Sequence, residues 1–393
     1  MAMKQLSKAV ALAAMATSGA VMADTPKLSE VLDASGIAIT GYVDAAYTHY
    51  NNDVPSPINY FDSDKDGFNL KQAAITIASQ PKEGFGALVN ITTGSDADCI
   101  RSYPYNKNSI YTDNGGSDCS VNGNGFDVTQ AFVQYATGPF TAIAGKFNTL
   151  AGAEVIAPTG NTNISRSIAF LNALPFTHTG VRLSVAPIDT LTLYAGLNNG
   201  WDQQTDINNE KTVELGAVWN PVTMVSWAAS IYNGKEPIVN PLTDEDTNTN
   251  RFLFDTVLTI KPTDSLAFII NYDYGKQEDA VLKNNLTDTK DAEWTALVGY
   301  ANYQFTDEWR VSLRGEVFDD KQDAKIGLAD LATGEASKKT KEWTLTVGYA
   351  PSKNFEVRGE VREDYADEDA FVKDDDSATD KQTFLALEAL YKF

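Results

Sequence analysis

Strand-like runs in this chain are joined by two kinds of connection that take strict turns, one short and one long. Runs whose polarity alternates with a period of two lie near 37–50, 67–79, 84–96, 126–136, 139–148, 175–186, 190–201, 211–219, 223–233, 251–260, 265–275, 292–303, 309–319, 342–350, 355–365 and 382–393. That period marks a strand with one apolar face. The short connections are 80–83, 137–138, 186–189, 220–222, 261–264, 304–308 and 351–354, and most carry the Pro, Gly, Asn or Asp that tight turns require. The others are long and polar: 51–66, 97–125, 149–174, 202–210, 234–250, 276–291, 320–341 and 366–381. A β-sandwich has no reason to sort its loops this way. A membrane-spanning barrel does, with short turns at one end and long loops at the other. The expected fold is all-β: a transmembrane, antiparallel, up-and-down β-barrel of about 16 strands, with both termini periplasmic. About ten residues at ~3.3 Å each, tilted by ~45°, cross the ~25 Å apolar band.

The last run, QTFLALEALYKF at 382–393, places Leu385, Leu387, Ala389, Tyr391 and Phe393 on one face. Gln382, Glu388 and Lys392 fall on the other, with Phe384, Ala386 and Leu390 as exceptions. As an open edge such a strand invites aggregation; pairing with the first strand removes the edge. This terminus resembles the C-terminal strand of bacterial outer-membrane proteins. In those proteins the final aromatic residue is part of the signal read by the barrel-assembly machinery. The resemblance implies that role for Tyr391 and Phe393.

Two hairpins share a motif. Glu293-Trp294-Thr295 with Val298-Gly299-Tyr300 recurs as Glu342-Trp343-Thr344 with Val347-Gly348-Tyr349. Their return strands carry Arg314-Gly315-Glu316-Val317 and Arg358-Gly359-Glu360-Val361. The pattern assigns Trp294, Ala296, Val298 and Tyr300 to the lipid, together with Trp343, Leu345, Val347 and Tyr349, and with Trp309, Val311, Leu313 and Val317. Aromatic residues near these strand ends fit interfacial girdles. The opposite face carries Arg310, Ser312, Arg314 and Glu316, then Glu356, Arg358, Glu360 and Arg362. Arg or Lys facing lipid at mid-bilayer costs about 2–4 kcal/mol each, so the charged face is the inner one.

A charged interior in so wide a barrel implies an aqueous channel. Asp44, Gln72, Gln130, Gln134, Glu214, Asp255, Asp273 and Glu388 also fall on the inward side. The candidate pore-lining residues are Lys146, Arg166, His178, Arg182, Arg310, Arg314, Glu316, Arg358, Glu360 and Arg362. Opposed charges there would set ion preference, although for any one of them a solvated wall charge is the blander account. The connection 149–174, TLAGAEVIAPTGNTNISRSIAFLNAL, is too apolar to lie in water. Folding into the lumen would bury it, with a lid over the outer mouth as the alternative. It is also the third outer connection, which in the sixteen-stranded general porins narrows the pore. That resemblance implies Arg166 as a constriction residue and Glu154 as an opposing acid. Acidic loops over arginines in the lumen predict a weak cation preference that fades or reverses as salt rises.

Residues 1–23 read as a signal peptide: Lys4 and Lys8, a short apolar run, then Val21-Met22-Ala23. Residues 24–36 read as a short periplasmic helix, with Pro26 near its start and Gly36 at its end. Residues 37–393 form the barrel. Beyond the signal peptide no apolar run approaches ~18 residues, so no membrane-spanning helix is expected. The net charge of −22 argues against nucleic acid as a partner. Cys99 and Cys119, the only cysteines, lie in one polar stretch of an exported chain and are expected to form a disulfide.

The segments Phe68-Asn69-Leu70-Lys71-Gln72-Ala73, Gly84-Phe85-Gly86-Ala87 and Gly145-Lys146-Phe147 resemble the OmpL-like β-barrel porins. So do Asn163-Ile164-Ser165-Arg166-Ser167 and Pro175-Phe176-Thr177-His178-Thr179-Gly180-Val181-Arg182. The resemblance covers about half the chain and implies an outer-membrane channel.

Competing chemistry finds little support. Asp62-Ser63-Asp64-Lys65-Asp66-Gly67 opens like a calcium loop, but Ala73 stands where the bidentate Glu belongs. His49 and His178 are the only histidines, and neither has a neighbouring nucleophile and orienter, so no enzyme and no cofactor are expected. The expected function is that of a porin: a water-filled outer-membrane channel for passive diffusion of ions and small hydrophilic solutes. The alternatives are a substrate-specific gated channel, or a plugged, surface-exposed structural or adhesin barrel. Expected partners are outer-membrane lipid and lipopolysaccharide, the barrel-assembly machinery and the solutes, with a homotrimer as one candidate assembly.

Overall fold

Period-two segments separated by tight turns give antiparallel strands, and here the strands meet end to end. The computed structural model describes residues 32, 35–52, 57–62, 65–100, 102, 125–239, 242–243, 246–282 and 288–393. The barrel strands are β1 (Ala38–Tyr50), β2 (Gly67–Ser79), β3 (Gly84–Thr93), β4 (Phe126–Thr137), β5 (Phe140–Asn148), β6 (Thr177–Ile188), β7 (Leu191–Asn198), β8 (Thr212–Val222), β9 (Val225–Val239), β10 (Asp246–Thr263), β11 (Leu266–Leu282), β12 (Thr289–Gln304), β13 (Trp309–Asp320), β14 (Lys339–Ser352), β15 (Phe355–Ala366) and β18 (Lys381–Lys392). Each lies beside its neighbour in sequence, and β1 pairs with β18 to close a sixteen-stranded barrel. The pair β16 (Phe371–Val372) and β17 (Ala378–Thr379) forms a separate small sheet in the last long connection.

The seam depends on a glycine. Gly41 and Phe393 exchange two backbone hydrogen bonds of 2.9 Å. A Cβ on Gly41 would come within 2.5 Å of Phe393 Cζ. Only glycine lets the terminal ring lie against the first strand without a shift.

Two expected loops shorten into strand. β9 and β10 stay paired out to Val239 and Asp246, and β11 and β12 out to Leu282 and Thr289 past an irregularity after Gln277. β3 ends earlier than expected, at Thr93; Gly94 then turns the chain at φ 116° into the helix α1 (Ser95–Ile100). Residues 1–23 and Cys119 lie outside the described residues, as do most of 24–36. Cys99 is disulfide-bonded.

Face assignments hold for β13, β14, β15 and β18. Leu313, Trp343, Leu345, Val347, Leu385 and Leu387 are exposed on the outer wall, whereas Arg314, Glu316, Arg358 and Glu388 are buried inside. They fail for β12. Trp294 pairs with Gly275 and Asp320, Val298 with Glu316, and Tyr300 with Arg314. Directly paired residues share a face, so Trp294, Ala296, Val298 and Tyr300 point inward, and all four are buried. The repeated Glu-Trp-Thr motif therefore faces opposite ways: Trp343 faces lipid and Trp294 faces the lumen. The cause is what fills the lumen. These four belong to a buried apolar cluster with Ala151, Ile156, Ile168, Phe170, Leu171 and Leu174 of the third long connection.

Other outer connections enter the same cluster. The 3-10 turn Pro57–Asp62 contributes Ile58 and Phe61, α1 contributes Ile100, and later connections contribute Trp201, Ile326, Leu328 and Phe371. Their polar composition had pointed to solvent. One or two apolar side chains draw each connection inward, because burying one stabilises by about 1.5–3 kcal/mol.

Candidate functional site

The inward segment 149–174 is held by its backbone as much as by its side chains. Its α-helix, α2 (Ile168–Asn172), like any helix leaves its first N–H groups without partners of its own. Glu316 of β13 supplies the acceptors: its two carboxylate oxygens take the N–H of Ile168 at 2.7 Å and of Ala169 at 2.6 Å. Ser167 caps the helix, its Oγ accepting from the Phe170 N–H at 3.0 Å. Glu360 of β15 repeats the device, accepting from Ile164 N–H at 2.6 Å and Ser165 N–H at 2.9 Å.

The wall arginines grip the carbonyls. Arg310 donates to Thr162 O at 2.7 Å, Arg314 to Ser165 O at 2.7 Å, Arg358 to Pro158 O at 3.2 Å and Arg362 to Arg166 O at 2.7 Å. Alternate residues on one strand face share a direction, so β13 and β15 each present a ladder of these groups to the segment.

Each wall arginine also has a carboxylate partner. Arg314 pairs with Glu342 at 2.7 Å and with Glu154 of the segment at 2.8 Å. Arg310 pairs with Glu356 at 2.6 Å, and Arg358 with Glu356 at 2.9 Å and Glu388 at 3.2 Å. Arg362 pairs with Asp364 at 2.7 Å. Across the barrel, Arg182 of β6 pairs with Glu214 of β8 at 2.6 Å and lies over the Phe147 ring. Such pairs gain little net stability, but removing one partner strands a buried charge and costs about 3–5 kcal/mol.

The expected constriction is therefore spent on the protein itself. Arg314, Arg362, Arg358, Glu316 and Glu360 do lie on the inner face, yet they are 0–5% exposed. They hold the segment and are covered by it. Arg166 turns back on its own segment, donating to Ile164 O at 3.0 Å and Ile156 O at 2.9 Å. Glu154 does not face it across a gap; it accepts from Arg314 and from Ser167. His178 is buried, stacked on Tyr232 with ring centroids 4.8 Å apart. Lys146 is out of phase with both His178 and Arg182. It pairs in register with Thr179, whereas Phe147 pairs with His178 and Ile143 with Arg182. Gly145 precedes it at φ 136°, and its ammonium ends in a buried ion pair with Asp127 at 3.1 Å. Asp62 of the calcium-like sequence is likewise committed, to Lys71 at 2.5 Å.

The adjoining wall, β9 to β12, holds the segment by packing and by fewer, neutral hydrogen bonds. The Trp294 indole donates to Ala173 O at 3.1 Å and lies edge-on to Trp201. Gly275 makes room for it: a Cβ there would sit 1.9 Å from Trp294 Cε2. Asn271 accepts from Ala153 N–H at 2.8 Å, and the Tyr232 hydroxyl accepts from Leu150 N–H at 2.9 Å. In the connection beyond β7, Asp202 accepts from Phe176 N–H at 2.9 Å and Thr177 N–H at 2.8 Å, fastening the end of the segment. Burial pushes the Asp202 carboxyl up to about 6. In the connection beyond β13, the Lys325 ammonium lies 4.7 Å from the Trp294 ring centroid and 5.6 Å from that of Trp201, and burial lowers it to about 7. Sequence reading gave no sign of Trp201, Asp202 or Lys325, which occupy irregular connections. Glu342 and Asp364 were legible, continuing the inward alternation of Thr344 and of Arg362.

At the short-turn end a cavity of about 790 Å³ is lined by Thr159, Glu356, Arg358 and Leu390.

The sequence profile of the family described as "Putative beta-barrel porin-2, OmpL-like" matches residues 36–393. Among curated proteins, none matches the sequence. Among solved structures, the outer membrane channel DcaP of Acinetobacter baumannii is similar at 14% identity and a TM-score of 0.57, over 91% of this chain and 97% of that one. An anion-selective porin from Comamonas acidovorans is similar at 11% identity and a TM-score of 0.59, over 91% and 99%. The trimer form of OmpT, an outer membrane protein of Vibrio cholerae, is similar at 10% identity and a TM-score of 0.56, over 91% and 99%. At such identities the likeness is one of fold.

Proposed function

The chain belongs to the OmpL-like β-barrel porin-2 family of outer-membrane barrels, and from that premise we propose that it is a channel for passive diffusion of ions and small hydrophilic solutes, narrowed by segment 149–174. The observation that carries this reading is the clamp: Glu316, Glu360 and four wall arginines fix the segment's backbone across a wide, polar-walled barrel. A segment so held sets a fixed aperture. Planar-bilayer recordings of the folded protein test the reading; stable open-channel steps support it, and a silent barrel overturns it in favour of a plugged one.

The same clamp favours a second reading, a solute-gated channel, in which a bound solute replaces segment contacts. Conductance that saturates with one solute separates this from general diffusion. Because each wall arginine is already matched by a carboxylate, the acidic connections govern ion preference. Of the fading or reversal read from sequence, fading follows: a weak cation preference at low salt that declines as salt screens the acidic connections, without reversal. Reversal potentials across a salt gradient measure it. We further propose that Tyr391 and Phe393 carry the assembly signal and that Cys99 pairs with Cys119. A homotrimer is the proposed assembly, by analogy with the Vibrio cholerae protein's trimer form. Deleting Phe393, and with it the seam to Gly41, should lower the yield of heat-modifiable folded protein; unchanged yield and assembly rate would count against that role.

A further inference from the structure

A chain with a net charge of −22 carries one cluster of lysines at the long-loop rim of the barrel. A cavity of about 410 Å³ there is lined by Lys321, Lys338, Lys339, Lys341 and Tyr365, with Asp319 and Asp367 beside them. Lys339 lies 3.6 Å from Asp319, and Lys321 pairs with Glu293 at 2.9 Å. Asp367 accepts from Ser337 Oγ at 2.5 Å and from the Lys339 N–H at 3.1 Å. Lys338 and Lys341 are exposed and have no carboxylate within ion-pair distance among the described residues. What sets these two apart from other exposed lysines is the cavity they share with Lys321 and Lys339, where two ammonium groups stand ready for one external anion.

The position says which anion. Lys341 lies on the outer face of β14, flanked in register by Val317 of β13 and Tyr365 of β15. Going down the same face of β14 come Trp343, Leu345 and Val347, all exposed to lipid. The lysines thus sit where the apolar band ends, above an aromatic residue and a continuous apolar track. A ligand matched to both has phosphate groups at its head and acyl chains beneath.

We propose that this cavity binds the phosphorylated headgroup of an outer-leaflet glycolipid, with Lys338 and Lys341 as its phosphate ligands and the track from Trp343 to Val347 as the bed for an acyl chain. This goes beyond the channel reading and does not depend on conduction. Each lysine near an anionic lipid surface contributes enough to weaken binding several-fold on removal, so loss of two should weaken it about thirtyfold.

Native mass spectrometry of the full folded protein, with diphosphorylated lipid A as probe, tests the assignment. The unaltered protein should retain lipid A, and the Lys338→Gln, Lys341→Gln double variant should retain about thirtyfold less. Heat-modifiable mobility checks that the variant is folded; should it fail to fold, the two single variants take its place, each expected to lose about five- to sixfold. Lipid A stripped of phosphate should bind the unaltered protein as weakly as the double variant binds the phosphorylated form. Equal retention of the stripped lipid, or undiminished binding by folded variants, would overturn the proposal. So would full displacement of lipid A by millimolar inorganic phosphate, which would mark a site for the free anion instead.

Discussion

The wall formed by β13–β15 and the wall formed by β12 hold the same segment by opposite means. The first offers Arg314, Glu316, Arg358, Glu360 and Arg362, which bind backbone N–H and C=O groups. The second offers Trp294, Ala296, Val298 and Tyr300, which pack on apolar side chains. An irregular segment in a lumen must satisfy both its peptide groups and its apolar side chains. The division places charged hydrogen bonds on one wall and close packing, with the single indole bond of Trp294 to Ala173 O, on its neighbour. It also shows that an inward strand face need not be polar: it must match whatever fills the barrel.

Arg314→Ala is the strongest way to break the charged side. It leaves Glu342 and Glu154 buried without their partner and should cost about 3–5 kcal/mol. The expected readouts are a lower temperature for loss of the heat-modifiable form and larger, noisier open-channel current. Unchanged values would mean that the ladder does not fix the segment.

The twin motifs sharpen the contrast. Trp294→Ala removes a buried indole and should cost about 3 kcal/mol or more, whereas Trp343→Ala, on the lipid face, should cost under about 1 kcal/mol. Thermal unfolding of the two variants side by side tests the opposite facings directly; equal losses would contradict them.

Glu316→Gln has a smaller expected effect. The amide keeps one acceptor but presents a donor to the second N–H, so one helix N–H goes unsatisfied at about 1–3 kcal/mol. Hydrogen exchange at Ile168 and Ala169 should quicken while the strand amides stay protected.

The pH response is the smallest and most local. The Asp202 carboxyl is raised by burial to about 6, so the folded protein holds its proton while the unfolded chain has lost it. Its contribution to stability is full below about pH 4 and is lost as pH rises towards about 6. Protection of the Phe176 and Thr177 amides should therefore be greater at pH 4 than at pH 7, and Asp202→Asn should flatten the difference. Greater protection at pH 7 would reverse the sign.

How much was legible differs between the wall and its contents. Strand number, order, closure and the outward faces of β13, β14, β15 and β18 follow from period-two polarity and turn residues, which are local. The exceptions on the last strand were visible as well, though their reason was not. Phe384 and Ala386 belong to a buried cluster with Tyr50 and Ile164, and Leu390 to one with Tyr42 and Ala74, against which Ala157 packs. Ile164 and Ala157 both come from the inward segment. Alternation puts Arg314, Glu316, Arg358, Glu360 and Arg362 on the inner face, where they are buried; the segment that covers them lies more than a hundred residues away in sequence, out of reach of any local pattern.

The sequence by itself determined a closed sixteen-stranded wall, since lipid on the outside penalises every charge there and so fixes register strand by strand. It could not determine the facing of β12, whose alternation is apolar enough to suit either side; the buried segment decided it. Nor could it tell a charge that lines water from one that clamps a backbone. Both satisfy the same alternation, and only tertiary contact, which supplies or excludes water at that charge, separates them.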